Sequence, residues 1–165
     1  MTALDDALAA GAQAPARGEM TAPPTTHLAV VTCMDARLDP LRDLGLAIGQ
    51  AHVLRNAGGR VTDDTLRSLL LSWHELGTRE VLVVHHSGCG VQAADEAVVK
   101  ARLEAKTGTD LSGVELRTFD DEEQSVREDV ARIAAAPFAP LGLRVRGAIQ
   151  DLATGRVVPV EGAEA

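Results

Sequence analysis

Short apolar blocks alternate with longer amphipathic stretches along this chain, so the hydrophobic period switches repeatedly between strand-like and helix-like. Residues 27–32 (HLAVVT) form an apolar run that predicts a buried strand ending at Cys33. Pro40 opens a short helix over 40–46, capped by Asp39. A second strand over 51–54 is stopped by Asn56 and the Gly58-Gly59 pair. Over 62–76 the helical period is strongest: Thr62 caps, Leu66, Leu69, Leu70 and Trp73 form one stripe, and Gly77 ends it. VLVV at 81–84 is a third strand running into His85-His86. A long helix over 91–106 ends at Gly108, and 114–118 reads as a strand or an extended connection. The acidic run 120–123 suits the start of a helix over 124–136, which breaks before Pro137. Strands at 144–151 and 157–160 close the pattern as an edge hairpin. The alternation predicts an α/β fold, with a mainly parallel central sheet flanked by helices. If the third strand returns to the far side of the first, their C-terminal ends meet at a switch point, where open α/β sheets bind ligands.

Residues 1–26, rich in Ala and Pro, read as an N-terminal tail or as a short helix (3–10) packing on a partner subunit. They have neither the positive start nor the apolar run of a secretory signal, which predicts a cytoplasmic protein. Residues 27–161 make one catalytic domain, and residues 161–165 are expected to fray. Composition narrows the partners. Two Phe, one Trp and no Tyr cannot build a base-stacking platform, and a formal charge of -8 is poorly suited to a polyanion, so nucleic acid is excluded. No apolar run of 18 residues exists, so no membrane partner is expected.

Chemistry concentrates where strands end. The chain has two cysteines, Cys33 after the first strand and Cys89 after the third, and His86 completes a Cys…His-x-x-Cys pattern. Two thiolates and an imidazole suit zinc, and three protein ligands leave a fourth position open. Inert buried thiols are the bland alternative, and a redox pair is weaker because there is no Cys-x-x-Cys. Asp35 and Arg37 follow Cys33 at i+2 and i+4, which in an extended segment share one side. Arg37 can then orient Asp35 bidentately beside a metal-activated water, or Asp35 can become a fourth ligand; a surface ion pair is the alternative. Zinc with two thiolates is neutral, so such a site wants a nearby acceptor and a mildly alkaline pH. Ala57 and Val61 are small enough to line a tight apolar pocket, and Asn56, Ala57, Gly58 and Gly59 shape a loop beside it. His85 should face away from His86, in the core or behind the site; His52 and His74 read as structural or exposed, and His27 has no visible partner.

CMDAR at 33–37, RNAGG at 55–59, TDD at 62–64, HSGCG at 86–90, GAIQD at 147–151 and TG at 154–155 together resemble the beta class of carbonic anhydrases, in its compact bacterial branch. The resemblance implies one zinc per subunit, held by Cys33, His86 and Cys89, with Asp35 and Arg37 as a dyad gating the fourth position. It also implies Asp35 as fourth ligand in a closed state. The implied reaction is zinc-hydroxide attack on carbon dioxide, giving bicarbonate and a proton, reversibly. Asn56–Gly59 would form part of the cleft, in a homodimer or tetramer with active sites at the subunit boundary. Ser87-Gly88 replaces the Thr-Asp common in compact members, which affects local hydrogen bonding and spares every ligand. Without Tyr, proton transfer falls to solvent or buffer. Hydrolysis of carbonyl sulfide or carbon disulfide on the same scaffold is one alternative function. A non-catalytic zinc-stabilised binding protein, with Asp35 closing the metal, is the other.

Overall fold

The computed structural model describes residues 2–165. Its elements run α1 (Ala3–Ala12), β1 (Leu28–Cys33), α2 (Pro40–Asp43), β2 (Ala51–Asn56), a 3-10 turn (Ala57–Gly59), α3 (Asp63–His74), β3 (Glu80–His86), α4 (Glu96–Thr107), α5 (Glu122–Ala134), β4 (Arg144–Gln150) and β5 (Val157–Glu164). One five-stranded sheet has the order β2-β1-β3-β4-β5. The pairs β1–β2, β1–β3 and β3–β4 are parallel, and β5 returns antiparallel on β4. β1 therefore lies between β2 and β3, and the direction in which the chain winds across the sheet reverses there, which makes a switch point at the C-terminal ends of these strands.

Each element follows from local chemistry. β1 (LAVVTC) is buried after its first residue, as a central parallel strand must be, and the hydroxyl of its one polar residue, Thr32, donates to the Val84 carbonyl at 2.8 Å. α3 starts where Thr62 accepts the Thr65 amide and carries Asp63 and Asp64 in its first turn, against the positive end of the helix. α5 is capped by Asp121, with Glu122 and Glu123 following, so the acidic run is a helix start. Leu69 and Trp73 of α3 share one core with Val126, Val130 and Ile133 of α5, Ala29 and Val31 of β1, Val81 and Val83 of β3, and Val145 of β4. Successive strand residues alternate faces, so this is the odd-numbered face of β1 and β3. α2 lies toward the even-numbered face, where the Gln150 side-chain amide donates to Asp43 at 2.9 Å. Gly147 has no side chain because a Cβ there would collide with Val126 and Ala163.

Three expectations change, and one open alternative is settled. α4 begins at Glu96 rather than at residue 91. Residues 91–94 spend their backbone groups elsewhere: the Ala93 amide donates to the Phe119 carbonyl at 2.7 Å, and Ala93 has φ 52°, outside the helical region. Residues 114–118 are a connection rather than a strand, because Glu96 takes the amides of Leu116 and Arg117, at 3.3 and 3.1 Å, and a single bridge joins Gln92 to Phe119. The C-terminus does not fray: β5 reaches Glu164, past a register shift opposite Gly147, and Ala165 exchanges both backbone bonds with Val145. His27 has a partner after all, since its Nδ1 lies 2.9 Å from the Gly77 carbonyl oxygen. At the other terminus, residues 3–12 form α1, an exposed helix with a Thr2–Asp5 capping box and no buried residue.

Candidate metal centre

Cys33 ends β1, His86 ends β3, and Cys89 follows on the turn after β3. Adjacency of the two parallel strands brings their ends together. The sulfurs of Cys33 and Cys89 are 4.0 Å apart, and all three ligand atoms fall within 4.8 Å of one another. Tetrahedral zinc with Zn–S bonds of ~2.3 Å wants its sulfurs ~3.8 Å apart, so the pair is already at metal-binding spacing. His86 is 1% exposed, and its Nδ1 lies 3.0 Å from the Ser87 carbonyl, which fixes the proton there. Its Nε2 is buried without any hydrogen-bond partner. A buried lone pair aimed at two thiols, with none of its hydrogen bonds made, is what a cation would satisfy. The three residues thus fit a Cys₂His zinc site.

Electrostatics of the metal-free pocket agree. The Cys33 thiol is pulled down to about 4, first by the Cys89 thiol donating to it and then by His86 and the backbone amides of Asp35 and Gly58, against the opposing effect of burial. Cys89 is pushed far up by that same contact with Cys33 and by burial, and His86 is raised chiefly by its closeness to the Cys33 sulfur. The pocket thus favours loss of one proton from the pair well before the other. A dication takes over the role of the bound protons and expels them.

The dyad sits in front of the ligands. Asp35 Oδ1 accepts from the Arg37 amide and from Arg37 Nε, both at 2.9 Å, and Oδ2 accepts from Arg37 Nη2 at 2.6 Å. Those bonds hold the Asp35 carboxyl well below the usual carboxylate range. Nη2 also reaches the Gly88 carbonyl at 3.0 Å, so Arg37 spans the Cys33 and Cys89 loops. Asp35 Oδ2 is 3.9 Å from His86 Nε2, close to the metal position and turned toward Arg37.

The residues expected in the cleft separate. Ala57 lines a cleft of about 390 Å³ with Gly90, Val91, Asp95, Val98, Arg102 and Leu116; it lies beside the Cys89 turn, and Cys33, Asp35, Arg37, His86 and Cys89 are not in its lining. Val61 does not line it: fully buried, it packs in the core against α3 and α5. Asn56 spends its side chain on the turn, accepting the Arg60 amide at 2.8 Å and donating to the Arg60 carbonyl at 2.7 Å. Gly58 and Gly59 are buried where the turn presses on β1. Gly59, at φ 68°, leaves a Cβ position 2.9 Å from the Cys33 nitrogen.

Sequence reasoning gave no role to two groups that the fold brings to the site. Arg55 donates from Nε to the Cys33 carbonyl at 2.9 Å and from Nη2 to the Asp35 carbonyl at 2.7 Å, bracing the ligand segment. Asp129 lies buried behind β3, against His85 and Arg60. Its sequence signal is a charge inside the apolar stripe Val126, Val130, Ile133.

Known proteins share this sequence and fold. The carbonic anhydrase family model matches residues 28–157. Beta-carbonic anhydrase 1 of Mycobacterium tuberculosis is 40% identical over 159 residues, 95% of this chain and 97% of that protein. A carbon disulfide hydrolase of Acidithiobacillus thiooxidans is 30% identical over 163 residues, 87% of this chain and 81% of that protein. The crystal structure of a carbonic anhydrase from Streptococcus mutans superposes with a TM-score of 0.88 at 42% identity, covering 98% and 99% of the two chains. A matching fold, near full-length identity and a Cys-His-Cys pocket at the switch point leave one assignment: this chain belongs to the beta-carbonic anhydrase family.

Proposed function

We infer that the protein catalyses the reversible hydration of carbon dioxide to bicarbonate and a proton. The observation that carries this reading is the unpaired, buried Nε2 of His86 converging with two cysteine sulfurs beside a carboxylate that Arg37 holds in place. Cys33, His86 and Cys89 would hold zinc, one per subunit, which would supply a Lewis acid able to lower the pKa of a water molecule. Asp35, kept ionised by Arg37, is the acceptor beside those three residues and would take a hydrogen bond from the attacking group. Val91 packs against the cluster that contains Cys33 and Cys89, and an apolar surface there favours an uncharged linear substrate over the charged product. The chain has no Tyr to relay the released proton, so solvent or buffer takes it.

Stopped-flow hydration of carbon dioxide by the zinc-loaded protein at alkaline pH tests this. A rate far above buffer is expected, and a rate equal to buffer with zinc fully loaded overturns it. Similarity to a carbon disulfide hydrolase favours a second reading, hydrolysis of carbon disulfide or carbonyl sulfide at the same centre. Supplying those gases in the same apparatus separates the two. A permanently closed, non-catalytic site is disfavoured because Asp35 is drawn to Arg37 by three bonds.

The protein acts as a homodimer in this reading, with tetramers as a further step. Leu4 and Leu8 on α1 are exposed on a helix that buries nothing within its own chain, and a second copy would cover them. Sedimentation velocity should give a mass of at least two chains, and a monomer at working concentration refutes it. A cytoplasmic setting suits two free cysteines that must stay reduced to hold metal.

A further inference from the structure

On the face of β3 opposite His86 lies a buried polar cluster with no contact to the reacting atoms. Asp129, from the middle of α5, is 1% exposed and uses both carboxylate oxygens. Oδ1 accepts the Val61 amide at 3.1 Å, and Oδ2 accepts the His85 Nε2 proton at 3.2 Å. Arg60 Nε lies 2.8 Å from Oδ2, as an ion pair whose N–H points off the oxygen. Ser125 donates to His85 Nδ1 at 3.3 Å, which leaves the other ring nitrogen as the donor to Asp129. Phe119 closes the cluster, stacked on His85 at 5.4 Å and 5.6 Å beneath the Arg60 guanidinium.

The two limbs that meet on Asp129 are the two limbs of the metal centre. His85 is the strand neighbour of His86. Arg60 and Val61 follow directly on the 3-10 turn, whose Gly58 amide faces the Cys33 sulfur and whose Gly59 rests on the Cys33 backbone. Burying a carboxylate with a guanidinium is expensive, and apolar side chains of equal volume would stabilise a fold at least as well. What the ion pair adds is direction.

We propose that Asp129 is a positioning residue of the zinc site, tying the turn behind Cys33 to the strand that carries His86. The proposal rests on the reading of Cys33, His86 and Cys89 as zinc ligands. Asp129→Asn is nearly isosteric but replaces one acceptor oxygen with a donor. Val61 and His85 each donate to a different oxygen of the carboxylate, so the new amide group faces one of these donors in either orientation.

The test is zinc affinity by chelator competition, with the cobalt(II) absorption spectrum as a report of ligand geometry. Loss of a group that orients ligands typically costs about 10–100-fold in metal affinity, and that loss, with a changed cobalt spectrum, is expected for Asp129→Asn. Ile133→Ala, one turn further along the same helix and fully buried in the core, is the control for lost stability alone. At a comparable drop in melting temperature it should keep zinc affinity within about twofold of wild type. Asp129→Asn with wild-type affinity and spectrum overturns the proposal, as does an equal affinity loss in the control. Should Asp129→Asn fail to fold, His85 carries the test. His85→Gln places a donor where Nε2 stood and should retain affinity, whereas His85→Asn cannot reach Asp129 and should lose it; equal affinities overturn the proposal. A wild-type chain that takes up no zinc is a separate result, and it overturns the metal reading itself.

Discussion

Gly59→Ala probes how closely the 3-10 turn rests on the ligand strand. The new Cβ would lie 2.9 Å from both the Cys33 nitrogen and the Thr32 carbonyl carbon and 3.2 Å from the Thr32 Cα. Those atoms belong to β1, an inner strand in which Thr32 is paired on both sides and Cys33 with β2, so they have nowhere to retreat. Holding alanine at φ 68° costs about 1–2 kcal/mol, and overpacking against fixed backbone adds about 1–3 kcal/mol. The sum, about 2–5 kcal/mol, lowers the melting temperature of a domain this size by roughly 4–20 °C. Gly155→Ala is the natural control: it has φ 73°, but no atom lies within 4 Å of its Cβ position, so it carries the backbone strain alone. Thermal and urea unfolding of both variants, zinc-loaded and zinc-free, isolate the cost of close approach. Pushing the turn outward also withdraws the Gly58 amide from the Cys33 sulfur, so the zinc-loaded form should lose more than the zinc-free form. If Gly59→Ala is no less stable than Gly155→Ala, the reasoning about the turn is wrong.

Cys89→Ser removes one of three ligands, and elemental analysis should find zinc falling from one per chain to well below it; full occupancy would contradict the ligand set. Asp35→Asn leaves the ligands intact, so metal content should hold while the hydration rate drops by roughly 10²–10⁴-fold; unchanged kinetics would remove Asp35 from the mechanism. Zinc affinity should rise with pH between about 6 and 9, because binding must displace the proton that Cys89 holds tightly; pH-independent competition with a chelator would contradict this. Asp35 acts at far lower pH: its folded pKa is depressed, so its contribution to stability is present above the unfolded value near ~4 and is lost only as pH falls through the lower folded value. No inflection from Asp35 should therefore appear in the alkaline rate profile, and one that vanishes in Asp35→Asn would refute the assignment.

Legibility in the sequence follows the range of the interaction. Strands β1 and β3 announce themselves as apolar runs, and the ligands sit at their ends, so the Cys33–His86–Cys89 set and the Asp35–Arg37 pair are legible in the order of residues alone. The start of α4 is not, because Ala93 and Phe119, far apart in sequence, bond to each other and bend the chain out of helix. The length of β5 is hidden for a similar reason. Gly162 and Glu164 look like a polar tail, yet Ala163 is 1% exposed, pressed into the core beside Gly147. Val61 is misplaced by sequence because its small apolar side chain suits a cleft and a core equally; only the position of the turn decides which.

The parallel pairing of β1 with β3 also sets an order of events. Cys33 and Cys89 are 56 residues apart, and the chain between them must build β2, the turn and α3 before β3 can dock beside β1. No short hairpin can bring these ligands together early. The metal pocket is thus a product of a finished crossover, and a cation entering it pins the two strand ends like a latch on a closed door. Zinc should leave the refolding rate nearly unchanged and slow unfolding, since an interaction absent from the transition state acts on the exit path alone.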